Sequence, residues 1–190
     1  MQTSDPSEIA ETALSPFKTY CALLVSILAM VLAVCNLGGS NTGKDAMMNN
    51  ILASNMYSFY QAKNVRQTQY KLAVDDLEIQ LTAGKLTLAS KQLLQDKVAA
   101  YKKTIERYES EPENGEGKKE LMAKAKAYEL DRDIALKKDP WFDYAEGLLQ
   151  LAIVLTSVGI ITERHSMAYV SFLLGTIGCV STLNGFFLFF

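Results

Sequence analysis

The charged residues of this 190-residue chain are concentrated in its middle, and both ends are strongly apolar. Residues 38–143 contain 17 of the 19 lysines and arginines and 16 of the 21 aspartates and glutamates. A helix of about 20 apolar residues crosses the hydrocarbon of a bilayer, and lipid offers backbone groups no partner outside the segment. We therefore expect an all-α membrane protein with three transmembrane helices and a water-soluble insert between spans one and two.

Three apolar segments carry this prediction: Tyr20 to Leu37, Leu148 to Ile161, and Met167 to Phe190. The first is interpreted as an anchor rather than a cleaved signal peptide, because no small-residue cleavage site follows it. Gly38 or Gly39 is expected to end the first span with a left-handed cap, and Pro140 to begin the helix of the second. The predicted order is an N-terminal tail (1–17), transmembrane helix 1 (18–37), the insert (38–143), transmembrane helix 2 (144–161), a short turn (162–166) and transmembrane helix 3 (167–190).

The insert is predicted to be helical, because it is rich in strong helix formers and has few strand-like alternations. Breaks are expected at 82–84 and at 110–117, where glycine and Pro112 indicate turns. This gives helices over about 42–82, 86–109 and 118–138, which together form a long helical hairpin with coiled-coil character.

Apolar residues of the insert recur at steps of three and four, the spacing of a coiled-coil seam. The second helix carries Leu94, Val98, Tyr101, Ile105 and Tyr108. The first carries a matching row of Ala53, Met56, Tyr60, Lys63, Gln67, Tyr70, Val74, Leu77 and Leu81, and the third a weaker row of Leu121, Ala125, Tyr128 and Ala135. A helix over 42–82 would be about 60 Å long, so its seam needs partners from the folded-back second helix and from another subunit. The predicted oligomer interface consists of Tyr60, Lys63, Gln67, Leu94, Val98, Tyr101 and Ile105, in which the polar Lys63 and Gln67 would set register.

Polar residues also occur inside the apolar ends. Glu146 and Gln150 lie four apart on one helix face, where they are expected either to bond a neighbouring helix or to line an ion path. In the third span, Asn184 accompanies the small residues Gly175, Gly178, Ser181, Thr182 and Gly185, which favour close helix packing.

The motifs of common enzyme classes are weak in this sequence, so no catalytic residue, cofactor site or metal site is predicted. Residues 38–44 match the phosphate-loop pattern G-x-x-x-x-G-K but continue with Asp45, which would repel phosphate. Residues 115–119 could present amides and lysines to an anion, although a solvated turn or a docking loop is favoured. The cysteines Cys21, Cys35 and Cys179 lie in apolar segments and indicate no disulfide framework.

Six stretches form a recognisable pattern: LGG at 37–39, ASNMYSFYQAKNVR at 53–66, RYES at 107–110, GEGKKEL at 115–121, YAE at 144–146 and QLAIVL at 150–155. Together they resemble a bacterial membrane family known as domain of unknown function 4337. One departure is Tyr57, which stands where the family pattern usually has Trp. The resemblance implies this architecture and a multi-pass protein of the bacterial inner membrane, but no catalytic role.

The leading hypothesis is a non-enzymatic, homo-oligomeric membrane scaffold that presents a helical stalk to partners. The alternative is a subunit of an oligomeric channel or transporter with Glu146 and Gln150 along its path. The expected partners are the lipid bilayer, further copies of the chain and other membrane proteins. Nucleic acid is not expected, because the insert carries a formal charge of only +1. The distribution of lysine and arginine leaves the sidedness of the insert open.

Overall fold

The computed structural model describes residues 16–189, so most of the predicted tail (1–17) and Phe190 lie outside the described residues. The elements of the described range are four α-helices, with no strand among them. They are α1 (Pro16–Ala83), α2 (Leu88–Glu109), α3 (Lys118–Thr162) and α4 (His165–Phe187). Three of them, α1, α3 and α4, are long and apolar enough to cross a membrane. The all-α class and three candidate spans are confirmed.

The breaks between the helices fall where turn residues predict them. Thr87 caps α2, because its hydroxyl oxygen accepts a hydrogen bond from the Ser90 amide at 3.3 Å. Gly115 adopts a φ of +62° in the turn before α3, a conformation that glycine takes without strain. Leu188 takes a left-handed conformation that ends α4, and its amide donates to the carbonyl of Asn184.

The expected helix end at Gly38 and Gly39 is wrong, because α1 continues through both glycines for 68 residues. The physical reason is packing. A Cβ atom at Gly38 would lie 2.5 Å from Cε1 of Phe142, so the missing side chain makes room for the ring. The hydroxyl of Thr42 donates to the Gly38 carbonyl at 2.9 Å within this helix. Residues 38–44 therefore form no phosphate loop.

The expected separation of helices 118–138 and 144–161 is also wrong, because α3 runs through Pro140 without interruption. Proline lacks an amide hydrogen and therefore removes one hydrogen bond of the helix. Pro140 is exposed, whereas Ala135 before it and Phe142 after it are buried. The local cost of proline is therefore outweighed by the packing of the residues on both sides of it.

The chain forms two compact units. Within the described residues, the apolar unit comprises 16–46 and 134–189, and the insert unit comprises Met47–Asp133. In the apolar unit, buried residues recur at steps of three, four or seven on all three helices, a spacing typical of helices that coil around each other. These residues are Cys21, Leu28, Cys35 and Thr42 on α1, Phe142, Ala145, Leu149, Ala152 and Thr156 on α3, and Ser171, Gly175, Gly178, Thr182 and Gly185 on α4.

The glycines of α4 face large side chains of the other two helices. Gly175 lies against Leu28, Gly178 against Leu149, and Gly185 against the ring of Phe142. Phe142 also contacts Phe186 edge-on, with ring centroids 5.0 Å apart. The small residues predicted for close packing are therefore used for packing inside one chain.

In the insert unit, the predicted rows face inward. Ala53, Gln67 and Val74 of α1 are buried, and the other members of that row are buried or half-buried. On α2 the same holds for Leu94, Val98, Tyr101, Ile105 and Tyr108, and on α3 for Leu121, Ala125 and Tyr128. The seam spacing thus identifies the core of this unit.

Replacing Gly185 by alanine should destabilise the apolar unit by about 1–3 kcal/mol, because the added carbon meets a filled core. It would lie 2.9 Å from two carbons of the Phe142 ring. The matched control is Gly147→Ala, whose added carbon meets nothing within 4 Å, and which should leave stability unchanged or raise it by about 0.5–1 kcal/mol. Denaturant unfolding in detergent, followed by the fluorescence of Trp141, measures both. Equal effects of the two substitutions would contradict this packing.

Candidate functional site

A polar cluster lies among the helices of the insert unit, formed by Asn64 and Gln67 of α1, Glu109 of α2 and Lys118 of α3. Gln67 is only 2% exposed. Its side-chain amide donates to the Ile105 carbonyl at 3.0 Å and to Glu109 Oε2 at 3.0 Å. We call these four side chains the Gln67 cluster.

Lys118 is the cation of this cluster, and it is buried at the first position of α3. Its ammonium donates to Gln67 Oε1 at 2.7 Å and to Asn64 Oδ1 at 3.0 Å, and lies 3.1 Å from Glu109 Oε2. It also lies 5.7 Å from the centre of the Tyr60 ring. A lysine has three hydrogens to donate, and three acceptors surround this one. The Gln67 cluster is therefore satisfied within the chain, which fits a role in fixing the helices.

The turn after α2 is tied to α3 by a single carboxylate. Ser110 Oγ donates to Glu120 Oε1 at 2.6 Å, and the Glu111 amide donates to Glu120 Oε2 at 3.2 Å. The hydrogen bond from Ser110 lowers the pKa of Glu120 below its ordinary value. The pKa of Glu109 is lowered as well, by its hydrogen bond from Gln67 and by Lys118.

Lys63 lies beside the same turn. Its ammonium is 3.5 Å from Glu116 Oε2 and 3.8 Å from Glu111 Oε2, and 5.8 Å from the centre of the Tyr108 ring. Lys63 and Gln67, predicted as register residues of an oligomer, therefore have partners within their own chain. Their role between copies stays a prediction.

Of the remaining predicted interface residues, Tyr60 is half-buried on α1, and the other four lie on the inner face of α2. Val98 is buried, and Leu94, Tyr101 and Ile105 are half-buried. The ring of Tyr101 contacts Tyr70 edge-on with centroids 5.1 Å apart. An open groove of about 400 Å³ borders this contact, lined by Arg66, Gln69, Tyr70, Ala73, Tyr101 and Tyr108.

The predicted intramembrane polar residues separate into two kinds. Asn184 is fully buried in the apolar unit, and its side-chain oxygen accepts from the Phe189 amide at 2.8 Å. Gln150 donates to Glu146 Oε1 at 2.8 Å, and Gln150 is exposed. Unlike Asn184, the Glu146 and Gln150 pair lies at the surface of its unit.

Sequence reasoning missed Lys118 and Thr156. Lys118 was interpreted as part of a solvated turn, although the buried Gln67 opposite it needs a donor for its oxygen. Thr156 donates to the Ala152 carbonyl at 2.9 Å and shares a hydrogen bond with Ser171, whose hydroxyl also lies 2.6 Å from that carbonyl. The sequence did contain a signal for this contact, because each of two neighbouring apolar segments carries a hydroxyl side chain.

Among residues 16–189, no group of three histidine, cysteine, aspartate or glutamate side chains is arranged to hold a metal ion. In the same range, every buried side-chain nitrogen or oxygen has a hydrogen-bond partner.

The family model described as Domain of unknown function (DUF4337) matches residues 17–188, which is nearly all of the chain. The chain belongs to this family. Comparisons with curated proteins and with solved structures gave no match. Tyr57, the one departure noted from the family pattern, borders a polar groove of about 270 Å³ with Glu129 and Arg132. A hydrogen bond with Glu129 raises the pKa of Tyr57.

Replacing Lys118 by methionine should lower the free energy of unfolding of the insert unit by about 1–3 kcal/mol, because the buried Gln67 oxygen loses its donor. Hydrogen exchange of the full chain in detergent should become faster in α2 and in the first turns of α3. The matched control is Lys119→Met, at the neighbouring exposed position. Equal exchange in the two variants would show that the Gln67 cluster does not hold these helices.

Acid should weaken the insert unit, because the folded-state pKa values of Glu109 and Glu120 lie below their ordinary value of 4.5. A carboxylate with a lowered pKa stabilises the fold fully above its unfolded value, and this contribution is lost as pH falls through the folded value. Glu120→Gln should therefore be less stable than the unmodified chain at pH 7, and the difference should shrink below pH 4.5. Urea unfolding at a series of pH values measures it, with Glu113→Gln, at an exposed position of the same turn, as control. A difference that does not vary with pH would refute the role of Glu120.

Proposed function

We propose that this protein is a non-enzymatic, multi-pass scaffold of the bacterial inner membrane that self-associates through its insert unit. Three helices with the length and apolar composition of spans support the membrane location. The family's description names no activity, and the bacterial compartment follows from the resemblance of the sequence alone.

The observation that carries the proposal is the set of large apolar side chains exposed on the insert unit, outside the apolar segments. Phe59, Val65 and Leu72 of α1 are each more than half exposed. Several large apolar side chains exposed to water on one helix are unfavourable unless a partner covers them, which favours an interaction surface there. The inner rows of the same unit are already packed, and the Gln67 cluster is satisfied. Association therefore depends on the outer surface, and the inner polar residues act by fixing the helices that present it.

A second candidate is a subunit of an oligomeric channel or transporter. It is favoured by the surface position of the Glu146 and Gln150 pair in a candidate span, because a carboxylate within lipid requires a polar surrounding. Three spans enclose no path of their own, so the pair would line one only between copies. This candidate thus shares with the scaffold the need for an oligomer.

Mass spectrometry of the purified full chain, released from mild detergent or lipid nanodiscs, should show more than one copy per particle. Cross-linking in intact membranes with an amine-reactive reagent should give the same number of copies. A monomer in both measurements would overturn both candidates.

A further inference from the structure

An apolar row runs along the outer face of α1 within the insert unit. Ile51, Val65, Leu72 and Ile79 are 44, 57, 63 and 63% exposed, respectively. They are separated by seven residues or by fourteen, and Ser58 occupies the intervening position. We call these four residues the outer row. They lie on the face opposite the inner row, since Gln67 and Val74 are each two residues from a member and are buried.

A seven-residue period specifies the shape of the partner. An α-helix has 3.6 residues per turn, so a strict period of seven drifts slowly around a straight helix. Only a second helix that coils around α1 contacts every member of such a row. From Ile51 to Ile79 the row extends about 42 Å along the helix axis, which is too long for a local pocket.

The positions beside the outer row complete a helical seam. Three residues before each seventh position stand exposed side chains, namely Met48, Asn55, Ala62, Gln69 and Asp76. An asparagine at such a position favours two parallel strands and fixes their register, at a cost in stability. The seam is thus apolar in parts and interrupted by polar layers.

A second copy of this chain fits the seam, and this step rests on the proposed function. In copies inserted into the bilayer in the same orientation, the α1 helices of neighbours run in the same direction. Equivalent residues then lie at equal depth, and each row meets itself, with Leu72 facing Leu72 and Asn55 facing Asn55. A two-fold axis between identical chains produces this kind of self-complementary contact.

Asp76 opposes association, so removing its charge should strengthen the pairing of two copies. It lies between Leu72 and Ile79 in the seam, and it is the only charged residue among the seam positions from Met48 to Ile79. Two copies would bring two carboxylates close together, where like charges repel. In one chain its carboxylate accepts a hydrogen bond from Gln80 at 3.0 Å.

We propose that Ile51, Val65, Leu72 and Ile79 form the seam through which two copies of this chain pair as parallel, in-register α1 helices.

The first test is disulfide trapping of the full chain in proteoliposomes. Leu72→Cys should form a cross-linked dimer under mild oxidation, whereas the matched control Lys71→Cys, one residue away on an adjacent face, should form at least about tenfold less. The unsubstituted chain, with its buried or half-buried Cys21, Cys35 and Cys179, gives the background. Mixing tagged Leu72→Cys with Ile79→Cys tests the register, because an in-register pair keeps positions 72 and 79 about 10 Å apart along the axis and should give no mixed disulfide. An efficient 72–79 disulfide would overturn the register.

The second test weakens or strengthens the seam. The double substitution Leu72→Ser and Ile79→Ser should raise the dissociation constant of the pair by at least about tenfold, since two buried apolar side chains are lost per copy. The matched control is Leu93→Ser with Leu130→Ser, which removes two apolar side chains of similar exposure from α2 and α3. Asp76→Asn should lower the dissociation constant several-fold. Because all of these positions are exposed, the helical circular dichroism of every variant should equal that of the unsubstituted chain.

The outcomes separate this inference from the proposed function. If the protein remains an oligomer when the outer row is replaced, and position 72 cross-links no better than position 71, the seam is refuted and the scaffold proposal stands. If Leu72→Cys captures a different protein in native membranes and gives no dimer in proteoliposomes, the second copy is the wrong occupant. If the unsubstituted chain is monomeric at every density in the bilayer, both the seam and the scaffold fail.

Discussion

Both units depend on close packing between helices, in which the buried side chains recur at every third or fourth residue. Along α1 the buried side chains recur every seven residues from Cys21 to Thr42, shift by four, and continue from Ala46. Such spacing is stable only when neighbouring helices coil around it, because isolated amphipathic helices have little stability of their own. In the apolar unit, glycines make room for large side chains: Gly175 for Leu28, and Gly38 and Gly185 for Phe142. In the insert unit the neighbouring helices supply tyrosine, isoleucine and valine.

The two units satisfy their buried polar groups in different ways. In the apolar unit, hydroxyl groups such as Thr156 bond to helix carbonyls, so no charge is buried with them. In the insert unit a full cation, Lys118, enters the core, and this is tolerable only because three oxygen acceptors surround it. Geometry of this kind permits one alignment of the helices, whereas an apolar contact would tolerate small shifts. We therefore expect the Gln67 cluster to contribute specificity of packing more than net stability.

Much of this arrangement is predictable from residue patterns, and the failures have a common cause. Charge distribution predicts the three apolar segments, and the three-and-four spacing predicts the inner rows from Ala53 to Leu81. Local signals at Gly38, Gly39 and Pro140 predict helix ends that do not occur, because contacts such as Phe142 with Gly38 outweigh helix propensity. The direction of Lys118 and the partners of Lys63 depend on contacts between helices distant in sequence. A seam pattern alone does not distinguish packing within a chain from packing between chains.

The two faces of α1 in the insert unit therefore have different energetic roles. The inner face is saturated by α2 and α3 and holds the unit together. The outer row is interrupted at Ser58 and flanked by Gln69 and Asp76, so a pair formed through it would be weak in solution. Confinement to a bilayer raises the effective concentration of copies and limits their orientations, which lowers the entropy lost on association. A seam of marginal strength would then allow pairing that responds to the density of the protein in the membrane. A fully apolar seam would pair at any density and would expose a larger apolar surface during folding.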